Sequence, residues 1–363
     1  MSLCLLILLS ACAKKETKSK PPPSVTITPV VQKSVPLFIE APGHIEAFNS
    51  VELKSQVTGI ITGVYYEQGK VVDEGEVLIT IDERPFAAKV QESVALVARN
   101  QAALKYAEDT TRRNTPLAQE DYISQNSYEN LVTNVMIDDA ALNESIAKLE
   151  IARINLGYCT ITAPMVSVAG ERLVDSGNLV IEDAGSTLVV LNQIEPIYAS
   201  FSVSERNFSK IQEKLKNEEL ETVVSYSNDF KTFSKGKVTF LDNSVDQTTG
   251  MIKLKATFDN KDHLLWPGIF VYTRLIMDID EGALLVPTGA IVNSQKGSYL
   301  FVMSEGDTVE QRYVTLGQQE NDFIIVKDGV SEGEKVVLEG QLNLTDGKKV
   351  SVKQEKKFTD ESL

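Results

Sequence analysis

The sequence predicts a mostly β protein into which a long α-helical hairpin is inserted. Two stretches of similar pattern, residues 51–82 and 158–191, place short β-rich runs between glycine turns. Between them glycine is absent from Arg84 to Thr111, where Ala, Gln, Glu and Lys are abundant. From about residue 192 onward short runs alternate apolar and polar positions, which is typical of further β-structure.

The two glycine-rich stretches are interpreted as halves of one small β-domain. Both "EQGKVVDEGEVLITID" and "VDSGNLVIEDAGSTLVVL" place a Gly turn, an apolar pair and another Gly turn before an apolar strand. Because a helical pattern separates them, we expect the chain to leave this domain, form the hairpin and return.

Each arm of the helical segment carries an apolar seam. In the first arm, which begins near Pro85, the residues at helical spacing are Ala87, Val90, Val94, Val97, Gln101 and Leu104. In the second arm, the residues at steps of seven are Tyr128, Val135, Leu142, Leu149 and Leu156. The pattern predicts an antiparallel two-helix coiled coil whose seam also carries Asp138. Arms of roughly 30 residues reach about 45 Å.

The remainder of the chain is predicted to be β-structure with polar ends. The alternating runs are PIYASFSV, KVTFLDNSV, MIKLKATFDN and GIFVYTRLIM, broken by one short helix over SERNFSKIQEKLKN. A second β-rich block extends from Leu284 to about Val352. The segment KKETKSKPPPS is a charged, Pro-rich tether that cannot pack a core.

The N-terminus resembles a bacterial lipoprotein signal. An apolar run is followed by Leu9, Ser10, Ala11 and Cys12, which match the Leu-small-small-Cys box. The resemblance implies cleavage before Cys12 and its acylation; a hydrophobic N-terminus without that role is the alternative. Ala13 leaves open to which membrane the lipid is sorted. Cys159 lies in an apolar stretch and is expected to be buried.

Composition and motifs exclude several function classes. A formal charge of −15 argues against nucleic-acid binding, which needs a basic face. The sequence contains no Gly-x-Ser-x-Gly elbow, Gly-x-Gly-x-x-Gly loop or Walker loop. The two histidines, His44 and His263, belong to no compact catalytic or metal cluster. We therefore expect a protein that is not an enzyme and that holds no cofactor or metal.

The organisation resembles the periplasmic adaptors, or membrane fusion proteins, of tripartite efflux pumps. In adaptors of resistance-nodulation-division (RND) pumps, the barrel domain carries a Val-Asp-x-x-Thr-Gly stretch and later a Pro-Gly pair. The matching residues here are Val245, Asp246, Thr249, Gly250, Pro267 and Gly268. The resemblance implies a barrel motif with a possible part in docking the transporter, and Asp and Gly also favour a turn in their own right.

A second match lies between the two helical arms. Arg113, Leu117 and Ser124 fit the Arg-x3-Leu-x6-Ser pattern that such adaptors carry at the hairpin tip. The resemblance implies contact with the periplasmic end of a TolC-type outer-membrane channel, and an ordinary polar turn is the alternative. Pro116 lies within the pattern and is expected to end or kink the first helix there.

The resemblance divides the mature chain into four domains. They are a lipoyl-like domain (51–82 with 157–191), a coiled-coil α-hairpin (83–156), a β-barrel (39–50 with 192–285) and a membrane-proximal β-domain (25–38 with 286–354). Residues 1–12 are the signal with its acylated cysteine, 13–24 the tether and 355–363 a tail.

The function that the resemblance implies is assembly without chemistry. Such a chain would be anchored to the inner membrane by its lipid and would lie in the periplasm. It would join a proton-driven inner-membrane RND transporter to a TolC-type channel and would form a ring, a hexamer in the family, for the export of drugs or other small molecules. An adaptor for an ABC-type exporter shares most of this architecture and is the alternative. Scattered methionines disfavour a heavy-metal adaptor.

Overall fold

The computed structural model describes residues 22–182, 185–227, 230 and 232–357. The chain divides into two compact units. One unit is Ala41–Thr273, and the other combines the residues up to Glu40 with those from Arg274 onward. Each unit is described by itself below.

Strands dominate the described residues and are interrupted by two long helices and one short one. The first strands are β1 Ser24–Pro29, β2 Val31–Ala47, β3 Ser50–Lys54, β4 Gly59–Val64, β5 Val71–Val72 and β6 Val77–Ile81. The long helices are α1 Arg84–Gln119 and α2 Gln125–Gly157. They are followed by β7 Thr160–Thr162, β8 Ser167–Ala169, β9 Leu179–Val180, β10 Thr187–Asn192, β11 Ile197–Ser204, α3 Phe208–Asn217, β12 Glu221–Ser225, β13 Ser234–Asp246, β14 Met251–Phe258 and β15 Phe270–Pro287. The last strands are β16 Val292–Ser294, β17 Gly297–Ser304, β18 Thr308–Tyr313, β19 Thr315–Glu320, β20 Phe323–Asp328, β21 Lys335–Glu339 and β22 Ser351–Glu355.

The predicted fold class is confirmed, beginning with the interrupted β-domain. Two four-stranded sheets have the orders β3-β10-β8-β5 and β7-β6-β4-β9, so each sheet takes strands from both sides of the helical insertion. The apolar faces of the sheets form one core, in which Leu78, Ile79, Leu188 and Leu191 are fully buried. Cys159 joins this core as predicted, and burial raises the pKa of its thiol.

A barrel forms the other β-structure of the Ala41–Thr273 unit. Neighbouring strands follow the order β12-β13-β14-β11-β2-β15, and β12 also pairs with β15. The alternation that the sequence shows places Phe201, Leu254 and Val271 inside. The short helix α3 covers the barrel with Ile211, which is fully buried.

The second unit contains a sheet of its own. Its order is β16-β17-β21-β1-β22, with β18 paired to β17. Val25, Ile27, Phe301 and Val337 form part of its core. Strand β1 runs antiparallel to β21 and parallel to β22, so both ends of this unit's chain lie in one sheet.

Candidate functional site

The two long helices pack as the predicted antiparallel pair. Every residue that the sequence places at seven-residue steps in α2 is buried or half-buried, and Leu149 is 9% exposed. At 1.5 Å per residue the 36 residues of α1 extend about 54 Å. The hairpin therefore carries its tip far from the sheets that hold its base.

The predicted seam of α1 is partly wrong. Val94 is 41% exposed and Gln101 is exposed, whereas Ser93 and Asn100 lie on the seam. The Asn100 amide donates to the carbonyl oxygen of Ala141 on α2 at 3.0 Å. A polar side chain that finds a backbone acceptor on the facing helix can occupy a seam position, so apolar periodicity alone misplaces the seam by a fraction of a turn.

The tip lies between the end of α1 and the start of α2. The proline was expected to end or kink the helix; helix α1 continues through Pro116 to Gln119, so it does not end there. The proline is three residues from the helix end, and because it has no N–H it gives up one intrahelical hydrogen bond. The turn closes when the Tyr122 N–H donates to the Leu117 carbonyl at 2.9 Å and Asp121 takes a positive φ of 60°.

The three predicted tip residues lie on or beside this turn. Arg113 is exposed, and its guanidinium donates to the Thr110 hydroxyl at 3.3 Å, one turn earlier on its own helix. Leu117 is 42% exposed in the last turn of α1. The structure thus brings a cationic and an apolar side chain to the solvent at the far end of the hairpin.

Ser124 has a structural role that the pattern match did not predict. It is the N-cap of α2, with extended backbone angles, and its hydroxyl oxygen accepts from the Ser127 N–H at 3.2 Å. A serine immediately before a helical pattern is the sequence signal for such a cap. No motif in the sequence points to Tyr122, which is 74% exposed beside the tip.

The barrel motif forms the hairpin turn between β13 and β14. Val245 pairs with Ile252 and Asp246 with Met251. One carboxylate oxygen of Asp246 accepts from the N–H groups of Thr248 and Thr249 at 2.8 and 3.2 Å, which holds the pKa of this carboxyl below its usual value. The local effect of the motif is therefore a stabilised turn, as Asp and Gly predict by themselves.

Gly250 and Gly268 both occupy backbone conformations that suit glycine. Gly250 has a φ of 66°, and its N–H donates to the Asp246 carbonyl at 2.8 Å. Gly268 has a φ of 87°, follows Pro267, and donates to the Ile45 carbonyl at 2.8 Å just before β15 begins. The positive φ at both positions explains why the family pattern has glycine there.

An ionic cluster lies on the outside of the barrel. Glu46 on β2 contacts Lys255 at 2.6 Å and Lys253 at 3.2 Å, and His44 approaches it at 3.0 Å. Burial by itself would raise the pKa of Glu46, but the hydrogen bonds and charges of the two lysines outweigh it and lower the pKa to about 2. The cluster joins β2 to β14 across β11.

Other sequence expectations concern the termini and absent chemistry. Cys12, the predicted acylation site, lies outside the described residues. Within the described ranges no group of three His, Cys, Asp or Glu side chains is arranged to hold a metal. In the same part of the chain, none of the helices has both the length and the apolar character needed to span a membrane.

Three family models match successive parts of the chain. The model described as "RND MFP, barrel-sandwich hybrid domain" matches residues 49–192. The model described as "RND MFPs, beta-barrel domain" matches residues 196–279. The third, "YknX, C-terminal permuted SH3-like domain", matches residues 283–352. Together the three cover most of the described residues.

Curated relatives match over nearly the whole chain. "Multidrug resistance protein MdtA" of Pantoea ananatis is 33% identical over 92% of this chain and 82% of its own. The protein of the same name from Photorhabdus laumondii is 30% identical over 92% of this chain and 84% of its own.

Solved structures show the same fold. MacA from Actinobacillus actinomycetemcomitans has a TM-score of 0.58 at 21% identity, over 86% of this chain and 98% of its own. A MacA–MexA chimera that contains the Pseudomonas aeruginosa MexA α-hairpin has a TM-score of 0.55 at 23% identity, over 85% of this chain and 98% of its own.

Proposed function

Since the chain belongs to the membrane fusion proteins of RND efflux pumps, which are periplasmic adaptors and not enzymes, we propose that it joins a proton-driven inner-membrane RND transporter to a TolC-type outer-membrane channel. Its cargo would be drugs or other small molecules, in keeping with the multidrug-resistance names of its relatives. The observation that carries the proposal is the match of two RND adaptor models to the domain with the inserted hairpin and to the barrel.

The hairpin tip is the proposed contact with the channel. Arg113 presents donors that can pair with a carboxylate or a carbonyl, and Leu117 presents an apolar side chain beside it. Ser124 fixes the first turn of α2 and so positions the turn that separates the two helices. The barrel turn, Val245 to Gly250, is the proposed contact with the transporter.

Self-association into a ring, a hexamer in the family, is proposed from the outer face of α2. Outside the seam, a mostly apolar and exposed stripe follows steps of three and four and consists of Val132, Met136, Ala140, Asn143, Ala147, Ile151, Ile154 and Tyr158. Met136 and Ile151 are 60% and 59% exposed. An apolar stripe of this length on a solvent-facing helix would be covered if a second copy packed its hairpin alongside.

Anchoring of the chain to the inner membrane is proposed from Cys12. An acylated cysteine followed by the tether, residues 13–24, would hold the second unit near a membrane. Because a single acyl chain binds membranes only marginally, more than one chain would be needed for stable anchoring.

Substitution at the tip tests the proposal in a strain that lacks the native adaptor. We expect Arg113→Asp to abolish drug resistance and to lose the channel in crosslinked co-purification, with unchanged protein level. Arg112→Asp is the matched control, because it makes the same charge change one residue away. Arg112 pairs with Asp109 of its own helix at 2.6 Å. Unchanged resistance with Arg113→Asp would refute the tip assignment, and recovery of an ABC transporter would refute the RND partner.

A further inference from the structure

A cleft in the Ala41–Thr273 unit uses none of the residues of the hairpin tip or of the barrel turn. Its volume is about 400 Å³, and the residues that line it include Gln68, Ala169, Glu171, Asn192, Trp266 and Pro267. They come from both halves of the interrupted β-domain and from the loop that precedes β15 of the barrel. A cleft of this volume is large enough for a drug-sized molecule.

The buried part of the lining is apolar and closely packed. Val168, Ala169 and Ile194 are all buried. The Gly170 N–H donates to the Val190 carbonyl at 2.8 Å, and a Cβ at Gly170 would lie 3.0 Å from that oxygen. This side of the cleft is therefore fixed by the backbone, and it offers apolar surface to a ligand.

Trp266 is the only tryptophan of the chain and lies on a firmly built loop. It is 43% exposed. The side-chain amide of the buried Asn260 donates to the carbonyls of Ile194 and Leu265, both at 2.9 Å, and its oxygen accepts from the Leu265 N–H at 2.9 Å. On the other side of the indole, the Ile269 N–H donates to the Trp266 carbonyl at 3.3 Å. The backbone is thus fixed on both sides, so a half-exposed ring is held at one place in the cleft.

The polar groups of the cleft are largely available to a ligand. Among the described residues, the Trp266 indole N–H and the Asn192 side chain have no hydrogen-bond partner, and the indole stacks on no other ring. The Gln68 Oε1 accepts from the Arg172 N–H at 3.2 Å, which orients this amide and leaves its NH2 group without a described partner. A ligand with a flat ring and a polar substituent would satisfy groups that the protein itself leaves to water.

Glu171 is the one charged residue among the described residues that line the cleft. It is exposed, and no cation in the described part of the chain pairs with its carboxylate. The neighbouring Arg172 pairs with Asp175 at 2.9 Å. A cation in the cleft would therefore meet an unpaired carboxylate and the face of a tryptophan ring, both of which attract positive charge.

We propose that this cleft binds planar aromatic cations, with the ring of the ligand stacked on Trp266, its positive charge attracted by Glu171 and a polar substituent hydrogen-bonded to the Asn192 side chain. An apolar lining with a few available polar groups is the usual composition of a small-molecule site. The flat ring of the ligand follows from the open indole face, and its charge follows from the unpaired carboxylate. Binding requires neither a transporter nor a channel, so the site goes beyond the proposed function and does not depend on it.

Ethidium, a planar aromatic monocation, is the probe that tests the proposal on the purified full chain. The anisotropy of ethidium fluorescence measures binding, and quenching of the single tryptophan locates it at Trp266. We expect both signals to saturate at the same ethidium concentration. Trp266→Ala should weaken binding about tenfold, because ring stacking and the cation–π contact are lost together. Glu171→Gln should weaken it about fivefold and reduce its salt dependence, because the attraction of an exposed charge is modest and is screened by salt.

Matched controls separate the cleft from the rest of the surface. Tyr106→Ala removes an aromatic ring that is 71% exposed on α1, and Glu74→Gln removes an exposed carboxylate elsewhere in the β-domain. Both should bind ethidium as the unsubstituted chain does. Because Glu171 is exposed and unpaired among the described residues, Glu171→Gln should keep the thermal midpoint of unfolding, so its result stands even if Trp266→Ala folds poorly.

Three outcomes would overturn the proposal. The first is the absence of saturable ethidium binding, and the second is binding that leaves the tryptophan fluorescence unchanged. The third is an equal effect of Glu171→Gln and Glu74→Gln, since the net charge of the surface would then attract the probe. Failure of Arg113→Asp to affect efflux would bear only on the proposed function.

Discussion

Ser124 allows the folding of the hairpin tip to be separated from its contacts. Its hydroxyl oxygen accepts from the Ser127 N–H at 3.2 Å and caps α2. Ser124→Ala removes this acceptor, which costs about 1 kcal/mol at a typical serine N-cap. A loss of that size raises the local opening equilibrium roughly fivefold. We expect the Ser127 amide to exchange its hydrogen about fivefold faster in Ser124→Ala, measured by hydrogen exchange with NMR or mass spectrometry.

Ser124→Asp is the matched variant, because aspartate caps helices about as well as serine and adds a favourable negative charge at the N-terminus. We expect its Ser127 amide to exchange at the original rate and its efflux activity to be retained. Ser127→Ala serves as a control, since it removes a hydroxyl but keeps the N–H that Ser124 accepts from. Equal exchange rates in Ser124→Ala and the unsubstituted chain would refute the reasoning that the cap stabilises the tip.

Three further substitutions test the seam, the barrel surface and the barrel turn. Asn100→Leu should raise the stability of the hairpin by about 1 kcal/mol in urea unfolding followed by circular dichroism, because the gain from a buried leucine exceeds the loss of the bond to Ala141. Glu46→Gln should make the free energy of unfolding fall less steeply as the pH is lowered. The pKa of Glu46 is lowered from 4.5 to about 2 on folding, so its contribution to that free energy is present above pH 4.5 and is lost as the pH falls towards 2. After solvent screening that contribution is about 1 kcal/mol, measured by urea unfolding at pH 7 and pH 3. Gly250→Ala should lower the free energy of unfolding by about 1–2 kcal/mol, because Gly250 has a φ of 66°, which strains an alanine. No atom lies within 4 Å of an added Cβ, so a steric clash does not add to this cost.

Each of these expectations has an outcome that contradicts it. A less stable Asn100→Leu hairpin would show that the amide is needed for packing as well as for register. An unchanged pH profile in Glu46→Gln would show that the lysines do not stabilise the carboxylate. For the turn, Gly157→Ala is the control, since Gly157 ends α2 without a positive φ and has no atom within 4 Å of an added Cβ. Equal stability of Gly250→Ala and Gly157→Ala would exclude backbone strain.

The sequence alone determined the fold class and the periodic features that carry it. Glycine turns at matching places in residues 51–82 and 158–191 predicted a β-domain interrupted by a helical hairpin, and both of its sheets take strands from the two sides of the insertion. The seam of α2 was also predictable, because apolar side chains fill its seven-residue steps from Tyr128 to Leu156. The turn of Asp246 to Gly250 follows from side-chain chemistry within five residues.

Only the tertiary structure decided features that depend on a partner distant in sequence. The seam of α1 passes through Ser93 and Asn100 because the facing backbone of α2 offers Asn100 an acceptor 41 residues away. Helix α1 also continues for three residues past Pro116, although the proline gives up one intrahelical hydrogen bond there. Periodicity records which residues repeat, whereas partners far along the chain decide which of them are covered.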